Sequence, residues 1–427
     1  MKIRTFVFLF FVLCPWSTVP SPAQAQSSLT LKDCFDKALD ISERVAISEA
    51  EIRVMESKYA QAIGAILPNV RFVATEFLQD DSATALGAGQ IGTTLTRFST
   101  PTIKFNAKQP IFNGLRDFFA LSATKSQKRQ SNAQFEEAKR NLFLDVAGSF
   151  YTVIELEADL KILKEMEKTL SVRLAESMER VRLGKSRTSE VINNESGMAQ
   201  QQAAISEAEG ALAAAREVLG FFVGDSKARL HDDFLPPKET KEEDYFLKTE
   251  VQRPDIIAAE EGLKVSKAKL KIEKGYYLPS INAEANYYNY RVGFQEPIKW
   301  DALFTLDFSI FEGGRTRAKV QEAKIVSKQS ALTLDETKRK ADLEVRKAWQ
   351  DFTAGQKRTE ALEFANRKAR ENYIASEKDY RLGLINNIEL LEVLRNFQNV
   401  ERTYSQTSLQ TKLNYLNLEV KAGKPLP

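Results

Sequence analysis

Trp300-Asp301-Ala302-Leu303-Phe304-Thr305-Leu306-Asp307-Phe308-Ser309-Ile310-Phe311-Glu312-Gly313-Gly314 is the stretch on which the reading of this chain turns. Trp300, Ala302, Phe304, Leu306, Phe308 and Ile310 share one face of an extended strand. Asp301, Thr305, Asp307 and Ser309 share the other, because successive side chains alternate across a strand. A strand over 300–310 has the length of a tilted membrane-crossing β-strand, about 9–11 residues. One face is suited to hydrocarbon. The other carries carboxylates and needs water.

Three further stretches have the same character. Ile281, Ala283, Ala285 and Tyr287 oppose Asn282, Glu284 and Asn286 in a predicted strand over 280–290. Ile103, Phe105, Ala107 and Ile111 oppose Thr102, Lys104, Asn106 and Lys108 over 101–111. A fourth strand is placed at 69–80. Tyr287, Tyr288, Tyr290, Trp300, Phe98, Phe112 and Phe311 lie near strand ends, as aromatic girdles do. Taken alone, the strands also fit a soluble sheet packed on helices. The intervening loops, about 80–99 and 291–299, are polar or rich in Gly, Ser and Thr.

Past the quoted strand, the turn Phe311-Glu312-Gly313 repeats Phe112-Asn113-Gly114 at an offset of 199. Arg381-Leu382-Gly383 repeats Arg182-Leu183-Gly184 at that offset, and Gly423 repeats Gly224. Upstream, Leu278-Pro279 repeats Leu67-Pro68 at an offset of 211. The chain is therefore two copies of one unit. The predicted organisation is a first repeat over 26–224, a linker over 225–248 and a second repeat over 249–427. Each unit reads helix, strand, strand, very long helix, helix. Gly114, Gly313 and Gly314 are assigned to sharp strand-to-helix turns.

The opening helix is expected from Thr30 to Leu67 and again from Arg253 to Tyr277, each closed by Leu-Pro. The long helix of the first copy is expected from Leu115 to Leu183. Its apolar stripe runs Leu142, Val146, Ser149, Val153, Leu156, Leu160, Leu163, Met166, Leu170, Leu174, Met178 and Val181, with a mean step near 3.5. At 1.5 Å per residue it makes a rod of roughly 100 Å. A shorter helix near 186–221 and the opening helix, stacked end to end, match that length.

The first 25 residues differ from the rest. Lys2 and Arg4 precede an apolar run, Phe6 to Leu13, and Ala23-Gln24-Ala25 offers a cleavage site, so 1–25 reads as a secretory signal peptide. Leu13 before Cys14 speaks against a lipid-anchored amino terminus. Without the leader the formal charge falls from +3 to +1, which does not suit a nucleic-acid binder. One cysteine remains, Cys34, read as a packed thiol. His231 alone makes no zinc site. The sequence carries no Cys-His pair, metal cluster, cofactor motif or nucleophile motif, so no enzymatic activity and no cofactor is assigned. Beyond the leader no segment has 18 consecutive apolar residues, leaving a soluble periplasmic protein or an outer-membrane β-barrel.

In this order and spacing the motifs resemble the TolC-type outer membrane factor family. They are Leu67-Pro68 and Leu278-Pro279, Gln109 to Gly114 with Phe308 to Arg315, and the tips Arg182-Leu183-Gly184 and Tyr380-Arg381-Leu382-Gly383. The resemblance implies a mainly α fold with a membrane β-barrel portion. Three chains form a homotrimer with a 12-stranded barrel continued by a 12-helix periplasmic tunnel. It implies an outer-membrane channel-tunnel for efflux or type I secretion, embedded in outer-membrane lipid. It implies docking on a periplasmic membrane-fusion adaptor and an inner-membrane pump of the RND or ABC type. The adaptor-docking tips are then Arg182, Leu183, Gly184, Arg381, Leu382 and Gly383. The periplasmic gate is assigned to Glu389 and Glu392, one helical turn apart, with Tyr380 and, in the first copy, Glu190. Ile385 stands where the family often has a basic residue. The alternative reading is a periplasmic coiled-coil adaptor or scaffold, which explains the rods but not four barrel-length strands. Cargo is not legible.

Overall fold

A computed structural model describes residues 28–79, 98–237, 241–249, 252–293 and 295–426. The leader over 1–25 and the loop over 80–97 lie outside the described residues. Two hairpins of long helices stand beneath a four-stranded antiparallel sheet.

The opening helix is not continuous. It divides into α1 (Leu31–Ile41) and α2 (Glu43–Gly64), separated at Ser42. Thr30 and Asp33 form a capping box on α1, and the Ser42 hydroxyl accepts from the Val45 N–H at the start of α2. Next come β1 (Asn69–Leu78) and β2 (Ser99–Asn113). They are followed by α3 (Arg116–Arg182), 67 residues without a break, and α4 (Thr188–Val223). The second copy gives α5 (Glu243–Thr249), α6 (Pro254–Gly275), β3 (Ser280–Arg291), β4 (Trp300–Asp307), α7 (Arg315–Arg381) and α8 (Asn387–Lys421).

Helix α5 occupies part of the expected linker, and it has a reason to be there. Phe246 stands at the offset of 211 from Phe35, the offset that relates Leu67 to Leu278. Phe35 is buried against Phe143, ring centroids 5.1 Å apart, at the junction of α1, α3 and α4. Phe246 is buried against Val345, Ala348, Phe352 and Leu418 at the matching junction of α7 and α8. Helix α5 is thus the counterpart of α1, and Arg253 holds the N-cap position of α6, without a side-chain cap bond, where Ser42 caps α2. These two clusters are the mid-rod core. The 225–237 segment is strapped to it. Asp232 accepts from Tyr151 Oη (3.3 Å) and Lys412 Nζ (2.7 Å), and Leu230 forms a parallel bridge with Leu29.

Cys34 lies at 0% exposure in the first cluster. Burial and, to a lesser degree, the nearby Asp33 push its thiol up to about 11. A buried thiol held protonated is a poor nucleophile. Maleimide labelling of the folded protein at pH 8 should therefore be near zero, and stoichiometric after unfolding in guanidinium. Labelling at equal rates in both states would show that α1 is not docked.

The sheet order is β1-β2-β3-β4, so the two repeats join at β2 and β3. The helices follow the same lateral order. Above the core, α2 packs on α3, α3 on α6, and α6 on α7; below it, α4 packs on α3, and α8 on both α3 and α7. The chain is a wall-like element with β1, α2 and α4 on one flank and β4 and α7 on the other.

Strand β4 stops at Asp307, short of the expected 310. Its partner β3 begins at Ser280, which pairs with Asp307, and Pro279 precedes it. Phe308, Ile310 and Phe311 therefore leave the sheet and are exposed. Strand β1 ends at Leu78 rather than 80, whereas β2 runs two residues further than expected at each end. The strand-to-helix turns are left-handed in both copies. Gly114 (φ 60°) packs so closely on Gly275 that a Cβ would sit 2.3 Å from its carbonyl oxygen. Leu115 (φ 63°) then adopts a conformation that the second copy gives to Gly314 (φ 84°).

Candidate functional site

The two faces of the sheet are chemically distinct. Register aligns Arg71, Asn106, Asn286 and Asp301 in one row across all four strands. Asn106 Nδ2 donates to Asn286 Oδ1 (2.9 Å) and to Glu284 Oε1 (2.7 Å). Asn286 Nδ2 donates to Asp301 Oδ1 (2.8 Å), and Tyr288 Oη donates to Asp301 Oδ2 (2.8 Å). The reverse face carries Phe72 on Phe105, ring centroids 5.4 Å apart, with Phe304 opposite Ala283 and Trp300 opposite Tyr287. Phe72, Trp300, Phe304 and Leu306 are each more than 60% exposed in the single chain. Such a sheet has one wet face and one apolar face, with nothing packed on the latter among the described residues.

At the far end of the rods, each helical hairpin closes in the same way. The Gly184 N–H donates to the Val181 carbonyl and the Lys185 N–H to the Arg180 carbonyl. The Gly383 N–H donates to Tyr380 and the Leu384 N–H to Asp379. These are Schellman turns, and φ of 68° and 75° at the two glycines explains the residue type. Arg182 is exposed and bonded to Glu179 (2.6 and 2.7 Å). Arg381 is exposed and bonded to Glu377 (3.0 Å). Leu183 and Leu382 are exposed.

Of the expected gate residues, Glu389 and Glu392 are both exposed at the start of α8, and Glu190 is half-buried at the start of α4. Glu389 has a local role besides. Its carboxylate accepts from Asn386 Nδ2 (2.9 Å), while Asn386 Oδ1 accepts from the Glu389 N–H (3.0 Å). It is the third residue of a helix capped by Asn386, where a carboxylate is also favoured by the helix dipole. Glu190 accepts from the Ser186 hydroxyl. Glu392 has no such bond among the described residues.

Tyr380 is buried, with the guanidinium of Arg180 5.0 Å and that of Arg173 5.7 Å from its ring centroid. Arg173 was not legible as a site residue. It is 5% exposed and donates to Glu176 (3.0 Å) and Glu377 (2.7 Å), tying α3 to α7. Beside it, Asn387 Nδ2 donates to Asn194 Oδ1 (3.0 Å) and Asn194 Nδ2 to Ser177 Oγ (2.9 Å). The buried stripe here runs Met166, Leu170, Arg173, Ser177. Of the two further positions expected on it, Leu174 is half-buried and Met178 is 50% exposed. Toward the tip the seam between the hairpins is polar, whereas above it Met166 and Leu170 pack on Leu394 across the same seam. The sequence signal was the pair of hydrogen-bonding residues three and seven positions beyond Leu170.

The family described as "Outer membrane efflux protein" matches residues 35–225 and 248–424. Protein CyaE of Bordetella pertussis is 24% identical over 354 residues, 80% of this chain and 73% of that protein. Outer membrane protein TolC of Vibrio cholerae is 19% identical over 321 residues, 71% and 72% of the two chains. Among solved structures, a membrane protein from Pseudomonas aeruginosa superposes with a TM-score of 0.81 at 18% identity, covering 92% of this chain and 93% of that one. VceC from Vibrio cholerae gives 0.81 at 16% identity, over 92% and 96%. With its unpartnered apolar sheet face, its two long helical hairpins and a family match over both repeats, the chain belongs to the outer membrane efflux protein family, as a TolC-type transport protein of the outer membrane.

Proposed function

We propose that three chains close flank to flank into one duct, a 12-stranded barrel in the outer membrane continued by a 12-helix tunnel in the periplasm. The observation that carries this is the matching of open flanks at both levels: β1 with α2 and α4 on one side, β4 with α7 on the other. An edge strand cannot face lipid, because its backbone groups would lack partners. A head-to-tail interface of this kind closes when the rotation per copy completes a ring. The 308–310 segment, with no strand partner among the described residues, is then available to the next chain's β1. Asp301, Asn286 and Asn106 line the wet interior, and Phe304 meets lipid. The duct carries substrates received from a periplasmic adaptor and an inner-membrane pump, in efflux or type I secretion. Mass measurement on detergent-solubilised protein should give about three subunits, with ion conductance in planar bilayers. A stable monomer, or no conductance, overturns the reading.

The gate belongs to the same proposal. Glu389 and Glu392 line the narrow periplasmic end, Tyr380 and Arg173 hold the second hairpin against the first, and Glu190 lies one hairpin away. Carboxylates gathered around a narrow axis favour a cation between them. Divalent cations added from the periplasmic side should block single-channel current. Glu392→Ala should weaken the block about tenfold, since its carboxylate is uncommitted, and adding Glu389→Ala should remove it. Trimer mass should be unchanged. Undiminished block in the double variant would exclude these two residues and direct attention to Glu190.

A further inference from the structure

The docking of α5 marks the outward face of α7. Val345 and Phe352 are buried with Phe246, and Trp349 Nε1 donates to the Lys241 carbonyl (3.1 Å). In the channel reading α5 lies outside the duct, since three copies inside would fill it. Residues seven apart keep one face of a helix with a coiled-coil period. Counting back by sevens from Val345 and Phe352 reaches Lys338, Lys324 and Arg317, and counting back from Trp349 reaches Lys328. On α6, Glu260 joins this face because it pairs with Lys338 (3.2 Å). Seven and fourteen residues beyond it stand Lys267 and Lys274, with Lys271 beside both on the helix surface. Lys267, Lys271, Lys274, Arg317, Lys324 and Lys328 are all exposed, and none has an ion-pair partner among the described residues. The carboxylates of these stretches, Glu273 and Glu322, line a groove with Lys269 and Lys319. Lys319 stands two residues from Arg317, about 200° around the helix, so that groove is on the opposite face. One face of the α6–α7 pair is charge-balanced and the other is purely cationic. The first copy does not repeat this. Glu56, Ala60 and Ile63 stand in place of Lys267, Lys271 and Lys274, and Phe118 in place of Arg317. Arg129, in place of Lys328, is turned to Glu261 (3.8 Å).

We propose that this face holds the phosphates of anionic phospholipids in the periplasmic leaflet, one patch per chain, on the second repeat alone. This rests on the channel reading, in which the apolar sheet face meets lipid. The patch begins where the apolar band ends. Beyond Leu306 the chain runs through Phe308, Ile310 and Phe311, all exposed, and reaches Arg317 six residues later. Lys274 stands six residues before Ser280, the first of β3. A headgroup layer is about 5–8 Å deep, roughly four or five helical residues. Lys274 and Arg317 lie near that depth, and Lys271 reaches it with its side chain. Lys267, Lys324 and Lys328 lie one to three turns further down, and add to the field that the leaflet feels. Apolar side chains alone would hold any lipid. Cations without carboxylates among them select the anionic ones. An acidic soluble protein fits less well, because the membrane itself covers the upper edge of the patch.

Full-length protein in a zwitterionic detergent, offered phosphatidylglycerol or phosphatidylcholine at equal concentration, tests this, with bound lipid counted by native mass spectrometry. Phosphatidylglycerol should be retained at least about tenfold over phosphatidylcholine, and the preference should shrink as salt rises. Lys271→Gln with Lys274→Gln and Arg317→Gln should bring the two lipids within about twofold of each other. Lys269→Gln with Lys319→Gln, which removes charge from the opposite face, should leave the preference intact. Millimolar inorganic phosphate should not displace the lipid, because it lacks the acyl chains. Equal retention of both lipids, a preference that survives the triple variant, or one lost in the Lys269 and Lys319 variant overturns the proposal. So does full displacement by inorganic phosphate, or by soluble polyglutamate, which would assign the face to an acidic protein. The same preparation is assayed for ion conductance. Conductance without lipid preference sinks this inference alone, and absence of conductance sinks the channel reading.

Discussion

Phe304→Arg is expected to abolish the membrane-inserted oligomer, whereas Asp307→Arg leaves it intact. Phe304 is 71% exposed on the apolar face, and its cross-strand neighbour is Ala283, too small to cover it. An arginine facing lipid near mid-bilayer costs about 2–4 kcal/mol, and each chain of the ring carries one. The penalty multiplied over the assembly is comparable to the stability of a folded domain. Asp307 points to the wet face, where a change of sign meets water. The measurement is the oligomer band from isolated outer membranes in semi-native electrophoresis. The opposite pattern, with Asp307→Arg lost and Phe304→Arg retained, would mean that the two faces are exchanged.

The mid-rod core should show the largest effect of any helical substitution. Phe143 is 1% exposed and packs edge-to-face on Phe35, at the junction where α1 docks on α3 and α4. Phe143→Ala removes the ring and leaves a cavity, for an expected loss of about 3–5 kcal/mol. Phe143→Leu keeps most of the volume and should cost less than half of that, about 1–2 kcal/mol. Because α1 is short and buries Leu31, Cys34, Phe35 and Ala38 in this one cluster, the first consequence should be local. Limited proteolysis should cut within residues 31–41 before the rods lose helicity. Simultaneous loss of α1 protection and of all helical signal would show that the junction is not a separable unit.

The architecture was legible because two independent periodicities agreed. Alternation of period two over 300–307 and a coiled-coil period over the long helices each predict their elements, and the 199-residue offset places them twice. The division at Ser42 was missed because Ile41, Val45 and Ala46 carry the apolar pattern across it, hiding a cap of only one residue. Helix α5 was missed for the opposite reason. Its seven residues sit among Lys, Asp and Glu, and only Phe246 reveals that they dock. The end of β4 depends on where β3 begins, which no local pattern encodes. At Glu389 the sequence did not reveal the bond that engages its carboxylate with Asn386. Arg173 escaped because a long charged side chain on a helical stripe reads as solvent-facing until its two carboxylate partners, one on another helix, are known.

The flanks that make closure possible also set a hazard before closure. A single folded chain released into water carries two unpaired strand edges, at β1 and β4, beside an uncovered aromatic face. Edges of that kind are templates for indiscriminate strand pairing, and the sequence Phe304-Thr305-Leu306 has little charge to interrupt it. Closing the proposed ring needs three chains, while mispairing needs only two. The yield of assembled protein therefore depends on how fast monomers meet a membrane relative to one another, and raising synthesis rate beyond that supply should favour insoluble aggregates over channels.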